Sequence, residues 1–63
     1  MFYGEKLLNF RAKNNLSQEK LSLILGVSIN MIHRYEKGLN EPSQMRKVRY
    51  GNKMKEWEER KNV

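Results

Sequence analysis

The apolar residues of this chain recur at every third or fourth position, in short stretches separated by turn-forming residues. That spacing is typical of helices with one buried face, and no stretch alternates apolar and polar residues long enough to predict a strand. Breaks occur at Asn14-Asn15, Gly26, Gly38 to Pro42 and Gly51-Asn52. The pattern therefore predicts an all-α fold, in which four to five short helices form one small, compact bundle.

The first three predicted helices have clear local boundaries. The first spans about residues 2–13, places Tyr3, Leu7 and Phe10 on one side, and ends at the asparagine pair. The second and third span about 17–25 and 28–37, and each follows a serine, Ser17 or Ser28, whose hydroxyl can cap the helix. An apolar residue precedes each serine and a second lies five positions after the first, which is the spacing of a hydrophobic staple.

Gly26 separates these two capped helices, and its missing Cβ suits the left-handed conformation of a tight turn. Two short helices joined in this way form a helix-turn-helix, whose second helix lies in the DNA major groove while the first crosses the backbone. The crossing needs apolar or small residues at set positions. The chain has them at Leu21, Ser22, Leu25, Val27, Ile32 and Tyr35.

Residues Leu7–Ser43 resemble the Cro and phage-repressor family of helix-turn-helix DNA-binding domains, also called XRE-like. The resemblance is carried by Phe10-Arg11, Leu16 to Leu21, Leu25 to Ser28, Ile32, Tyr35 to Gly38 and Pro42-Ser43. It implies a lambda-repressor-like fold with a helix-turn-helix core in residues 1–43. The chain departs from the family at Asn15 and Ser22, where glycine and alanine are usual. It departs further after Ser43, where the family continues with a leucine-rich fourth helix and a fifth.

Four residues of the third predicted helix would face the bases if that helix enters the groove amino end first. They are Ile29, Asn30, His33 and Arg34. Asn30 can pair with adenine, Arg34 can grip guanine through O6 and N7, and Ile29 can pack on a thymine methyl group. The resemblance implies that Ile29, Asn30 and Arg34 hold the family's principal base-reading positions. The alternative is that this is merely a solvated face.

The resemblance also assigns a phosphate contact to Gln18, at the start of the second helix, where the helix N-terminus would reinforce it. Further candidate phosphate contacts are Ser28, Lys37, Asn40, Lys13 and Asn14. Lys37 has a second interpretation, because a cation there complements the carboxyl end of the third helix. For Arg11 and Glu36 the resemblance implies a largely buried salt bridge that joins the first and third helices.

The charge balance supports an anionic partner. The chain has 13 Lys and Arg against 7 Asp and Glu, a net charge of +6 and a pI near 9.9. Nucleic acid is the commonest partner of a compact basic domain. Every charged residue from Arg46 to Lys55 is positive, although a solvated helix face is an alternative explanation of that run.

Other functional classes find little support in the sequence. Cysteine is lacking and His33 is the single histidine, so we expect neither disulfides nor a metal site. No glycine-rich phosphate loop and no nucleophile–base arrangement is present, so we expect no enzyme activity and no cofactor. The N-terminus has no apolar signal core and no apolar run could span a bilayer, so a cytoplasmic location is expected.

Residues 44–63 form a basic C-terminal extension with a possible dimer contact. We expect Met45 and Val48 to continue the core, Gly51-Asn52 to end the fourth helix, and a last helix to span about Lys53 to Arg60. Met31 and Met45 are expected to fill the core. Trp57 either packs back on the core, forms a two-fold dimer contact, or belongs to a frayed tail.

The predicted function is sequence-specific binding of double-stranded DNA by a transcription regulator, a repressor or Cro-like switch protein from a bacterium, phage or mobile element. We expect a homodimer on a palindromic operator. One alternative is an antitoxin-type interaction module that also autoregulates its operon and uses residues 44–63 to bind a toxin. Another is a membrane-surface segment from Arg46 to Trp57, which Glu56, Glu58 and Glu59 oppose because anionic lipid would repel them.

Overall fold

The computed structural model describes residues 2–61, and every regular element in that range is an α-helix. Helix α1 spans Tyr3–Asn14, α2 spans Gln18–Leu25, α3 spans Ile29–Glu36 and α4 spans Gln44–Lys61. The all-α prediction is therefore confirmed, and the first three helices begin and end within one residue of the expected positions. The short α2 and α3 meet at Gly26, with α1 packed against α3 and α4 packed against α2.

The core is built from the residues that helical spacing placed on one side of each helix. Its members are Tyr3, Leu7, Phe10, Leu21, Leu25, Ile32, Tyr35, Tyr50 and Met54. Leu16 and Val27, which precede the two capping serines, pack at its margin, as does Met31. The core therefore draws on all four helices, and α4 supplies its last two members.

Local signals set the boundaries of α2 and α3. The Ser17 hydroxyl accepts a hydrogen bond from the backbone N–H of Lys20 at 3.0 Å, and the Ser28 hydroxyl accepts one from Met31 at 3.1 Å. Gly26 ends α2 with φ 72°, and Asn15 ends α1 with φ 55°, each in the left-handed region. Each serine thus satisfies a backbone donor that the helix leaves without a partner.

Helix α1 is held by two features without an obvious sequence signal. A Cβ added to Gly4 would lie 1.8 Å from the carbonyl oxygen of Tyr35, so only glycine lets α1 approach the backbone of α3 this closely. The N-cap residue Phe2 offers no side-chain acceptor, and the Glu41 carboxylate replaces it by accepting the Tyr3 N–H at 3.1 Å. Lys47 lies 3.0 Å from Glu41, and its hydrogen bond is the main reason why the pKa of Glu41 is lowered.

Helix α4 corrects three expectations. It continues through Gly51-Asn52 without a break, so the separate last helix from Lys53 was wrong. Met45 is 75% exposed and Val48 55% exposed, so neither belongs to the core. The inward stripe instead passes through Tyr50 and Met54, whose burial on either side of Gly51 offsets the roughly 1 kcal/mol that glycine costs a helix.

Trp57 packs on the chain's own core, edge-on against Phe10 with ring centroids 5.9 Å apart. Beyond it, Asn14 donates a hydrogen bond to Glu58 at 3.2 Å and accepts one from Lys61 at 2.6 Å. The contacts between α1 and α4 occur in the same order along both helices, from their amino ends to their carboxyl ends. The two helices therefore run in the same direction. Within residues 2–61 the extension is thus one helix docked on the helix-turn-helix core.

Candidate nucleic-acid interface

Helix α3 has one buried and one exposed side. Ile32, Tyr35 and Glu36 face the core. The four residues expected to face the bases are all exposed, at positions that adjoin each other on a helix surface: Ile29, Asn30, His33 and Arg34. Ile29 is 48% exposed, so its apolar side chain is accessible to a ligand. The exposed side therefore offers an apolar group, an amide, an imidazole and a guanidinium to a ligand.

Arg34 is oriented by the loop that follows α3. Its Nε donates a hydrogen bond to Oδ1 of Asn40 at 2.8 Å. The four hydrogens on its two terminal nitrogens stay available, and those are the groups that can grip guanine O6 and N7. Within residues 2–61 the amide N–H₂ of Asn40 has no acceptor, so it can donate to a ligand. The structure thus brings together a predicted base contact and a predicted phosphate contact, with Asn40 positioning Arg34.

The back of α3 is anchored by a two-bond ion pair. Arg11 donates from Nε to Glu36 Oε2 at 2.7 Å and from Nη2 to Oε1 at 2.8 Å. The Glu36 side chain is only 5% exposed, and that of Arg11 is 21% exposed. The hydrogen bond to Glu36 raises the pKa of Arg11 above its ordinary value. Since Arg11 also donates to the carbonyl of Leu16 at 3.1 Å, it ties α1 to α3 and to the start of α2.

Gln18 joins this anchor. Its Nε2 donates to Glu36 Oε1 at 2.9 Å, which holds the amide at the first residue of α2. One of the two amide hydrogens is committed to Glu36, and the other can still be donated to a phosphate. Gln18 therefore links the buried ion pair to the helix N-terminus expected to face the DNA backbone.

The remaining predicted phosphate contacts lie in two settings. Ser28 accepts its capping hydrogen bond and keeps its own hydroxyl hydrogen, and Lys37 is exposed just after α3. Lys13 and Asn14 instead border a groove with Glu58, which lies 3.4 Å from the Lys13 ammonium. A phosphate there would face the Glu58 carboxylate, so the structure gives Lys13 and Asn14 less support than the other four.

One cation close to α3 was not singled out from the sequence. Arg46, in the first turn of α4, is exposed and lies beside the hydroxyl groups of Tyr35 and Tyr50. Those hydroxyls are 3.3 Å apart, and burial raises the pKa of Tyr50 to about 12. The only sequence signal for Arg46 was its place in the run of positive residues, which does not show that the run begins next to the end of α3.

The comparisons with known proteins agree with this geometry. The model of a helix-turn-helix family matches residues 7–46, more than half of the chain. The chain belongs to this family, which is of the XRE type, and it is therefore a DNA-binding transcription regulator. Comparisons with curated proteins and with solved structures gave no significant match. Among the helices in residues 2–61, none is long and apolar enough to cross a membrane.

Proposed function

We propose that this regulator is a repressor or Cro-like switch protein that binds a palindromic operator as a homodimer and reads the major groove with α3. The observation that supports this most strongly is the contrast between the two sides of α3. Its back is fixed by the Arg11–Glu36 pair, while Ile29, Asn30, His33 and Arg34 are exposed together. A rigidly held, solvent-facing polar surface is what base recognition requires.

In this proposal each side chain has a distinct role. Asn30 pairs with adenine, Arg34 with guanine, and Ile29 contacts a thymine methyl group, with His33 beside them. Four residues contact the DNA backbone on either side of these bases: Gln18, Ser28, Lys37 and Asn40. Lys13 and Asn14 make further, outlying phosphate contacts, provided that the Glu58 carboxylate moves away from them. Backbone contacts set the register of the protein on the duplex, whereas base contacts select the sequence.

The homodimer follows from the size of the reading surface. An α3 of eight residues presents only four side chains to the bases. Two copies on one face of DNA, about 34 Å apart, double the number of specific contacts and read a two-fold symmetric site. A second copy also doubles the positive charge, which adds +6 for each chain near the phosphates.

Selection of bound sequences from random DNA, followed by affinity measurements on single-base variants, tests the proposal. Arg34→Ala should weaken binding about 5- to 150-fold and relax the preference at one base pair. Lys37→Ala should weaken binding to all DNA sequences by the same factor. It should also lower the number of counterions released on binding, read from the salt dependence of the affinity, by about one. Arg60→Ala is the matched control, because Arg60 is an exposed arginine on α4 with no proposed DNA contact. If Arg34→Ala kept full affinity and preference, α3 would not be the reading element.

A further inference from the structure

The guanidinium of Arg34 has one partner within residues 2–61, and that partner is neutral. Its Nε donates to Asn40 Oδ1 at 2.8 Å, and no carboxylate of that range lies within ion-pair distance of it. Because Nε can only donate, the atom of Asn40 that faces it must be the oxygen. Arg34 is exposed, whereas Asn40 is half-buried. A partly buried amide thus orients an exposed arginine without neutralising its charge.

The loop after α3 brings Asn40 back beside Arg34. The Leu39 N–H donates to the carbonyl of Arg34 at 2.9 Å, and Gly38 takes the left-handed conformation with φ 75°. This is the Schellman arrangement, in which the chain turns back over the last turn of a helix. On the other side of Asn40, the Glu41 carboxylate accepts the first backbone N–H of α1. Asn40 therefore lies between two anchored residues, and the loop should keep its course without the amide.

The bond to Asn40 decides which edge of the guanidinium is left for a ligand. An arginine can grip two acceptors through its end, with Nη1 and Nη2, or through its side, with Nε and Nη2. Since Nε is committed to Asn40, the end is the edge that remains fully available. Without Asn40 the side edge of Arg34 is free to bind a backbone phosphate, and such a contact carries no sequence information. The amide therefore favours a base contact over a phosphate contact.

We propose that Asn40 determines base specificity without touching a base. By holding Nε of Arg34, it directs the end of the guanidinium to guanine O6 and N7. The inference rests on the proposed function, in which Arg34 reads that base. It differs from a phosphate contact by Asn40, because loss of a backbone contact weakens binding to every DNA sequence equally. Loss of a positioning residue instead changes the preference at one base pair.

The base preference at the pair read by Arg34 tests the inference. That pair is located first, as the one where Arg34→Ala relaxes the preference. Asn40→Ala should lower the guanine preference at the same pair about 3- to 10-fold, which is part of the roughly 5- to 150-fold that a two-bond contact supplies. Preferences at the other pairs should not change. Leu39→Ala is the matched control, because Leu39 is a 62% exposed residue of the same loop whose side chain makes no hydrogen bond to Arg34.

Two further variants separate positioning from backbone contact. Asn40→Asp keeps an acceptor for the Arg34 Nε, loses the amide donor and places a carboxylate near the phosphates. It should therefore weaken binding to all DNA sequences and still retain the guanine preference. In the double variant Arg34→Ala/Asn40→Ala, the second change should no longer alter the preference at that pair, because its partner is gone.

The outcomes distinguish this inference from the proposed function. A full guanine preference in Asn40→Ala would overturn the positioning role and leave the proposed function standing, even if that variant bound all DNA sequences more weakly. Loss of the preference in Asn40→Asp as well as in Asn40→Ala would also contradict a role that depends on the Oδ1 acceptor. If Arg34→Ala kept the preference at every base pair, the proposed function would fail, and the positioning role with it.

Discussion

The helix-turn-helix region, Tyr3–Glu36, and the C-terminal helix, Gln44–Lys61, are held in the fold by different kinds of contact. The first supplies most of the buried core and adds directed interactions to it: two capping serines, the two-bond Arg11–Glu36 pair and a backbone approach at Gly4. The second depends on burial of Tyr50, Met54 and part of Trp57, with exposed ion pairs at its margin. The two-bond ion pair thus fixes the orientation of α3 relative to α1, whereas α4 is docked mainly by burial, with hydrogen bonds at its carboxyl end.

The largest difference between the regions should appear when ion pairs are broken. Arg11→Ala leaves the carboxylate of Glu36 buried with only Gln18 as a donor, and should lower the free energy of unfolding by about 3–5 kcal/mol. In a chain of this size that approaches the whole stability. Lys13→Ala breaks an exposed pair with Glu58 and should cost less than about 1 kcal/mol. Urea unfolding measures both, and similar losses would mean that α1 is not anchored through Arg11.

A methionine pair tests the role of burial in α4. Met54 is 5% exposed, and Met54→Ala should lower the free energy of unfolding by about 2–4 kcal/mol through lost burial and a cavity. Met45→Ala removes the same atoms from a 75% exposed position and should change it by less than about 0.5 kcal/mol. Thermal unfolding followed by circular dichroism gives both values. A large effect at Met45 in the isolated chain would place it in the core after all.

The two helical glycines should respond to alanine with opposite signs. Gly4→Ala forces a Cβ against the Tyr35 carbonyl and should destabilise the fold by about 1–3 kcal/mol. Gly51→Ala meets open space and should stabilise it by about 0.5–1 kcal/mol, because alanine is the better helix former. Both changes are measured as shifts of the urea unfolding midpoint, provided that the dependence of the unfolding free energy on urea concentration keeps the same slope. Destabilisation by Gly51→Ala would show that the chain's own packing requires this glycine.

The smallest effect on stability is expected when the pH is lowered, and it tests the Glu41 carboxylate in the loop that caps the N-terminus of α1. Hydrogen bonds from Lys47 and then from the Tyr3 N–H hold the pKa of Glu41 below its ordinary value. A lowered carboxyl pKa contributes stability above the ordinary pKa, and this is lost as the pH falls through the folded-state value. The free energy of unfolding should therefore fall below about pH 5. Glu41→Gln should reduce that dependence, and an unchanged pH profile would remove Glu41 from the explanation.

The boundaries of α2 and α3 could be predicted because their signals are local. Ser17, Gly26 and Ser28 act within a few residues of their position, and the resemblance directed attention to Arg11 and Glu36, which the structure joins. The exposed face of α3 followed from spacing alone. The DNA contacts of that face, and the operator it would select, remain predictions.

The remaining features depend on tertiary structure that spacing does not reveal. Met45 and Val48 fit a helical stripe as well as Tyr50 and Met54 do, and only the position of α4 on α1 and α2 decides which stripe is buried. Gly51-Asn52 resembles a helix stop locally, but burial on both sides keeps the helix intact. The roles of Gly4 and Glu41 come from residues 31 and 38 positions away in the chain, and the Arg34–Asn40 bond needs the loop conformation.

The contact between Trp57 and Phe10 has a practical consequence for spectroscopy. Trp57 is the single tryptophan of the chain, and its indole packs against α1 and borders a groove with Ile24 of α2. Its fluorescence emission therefore reports the docking of the carboxyl half of α4, because undocking exposes the ring to water and shifts the emission to longer wavelength. The neighbours of Trp57 in the described residues include Phe10, Ile24 and Lys61, none of which is on α3, so the same signal should change little when α3 binds DNA. Trp57 fluorescence can thus follow the folding of the unlabelled protein in the presence of DNA as well as in its absence.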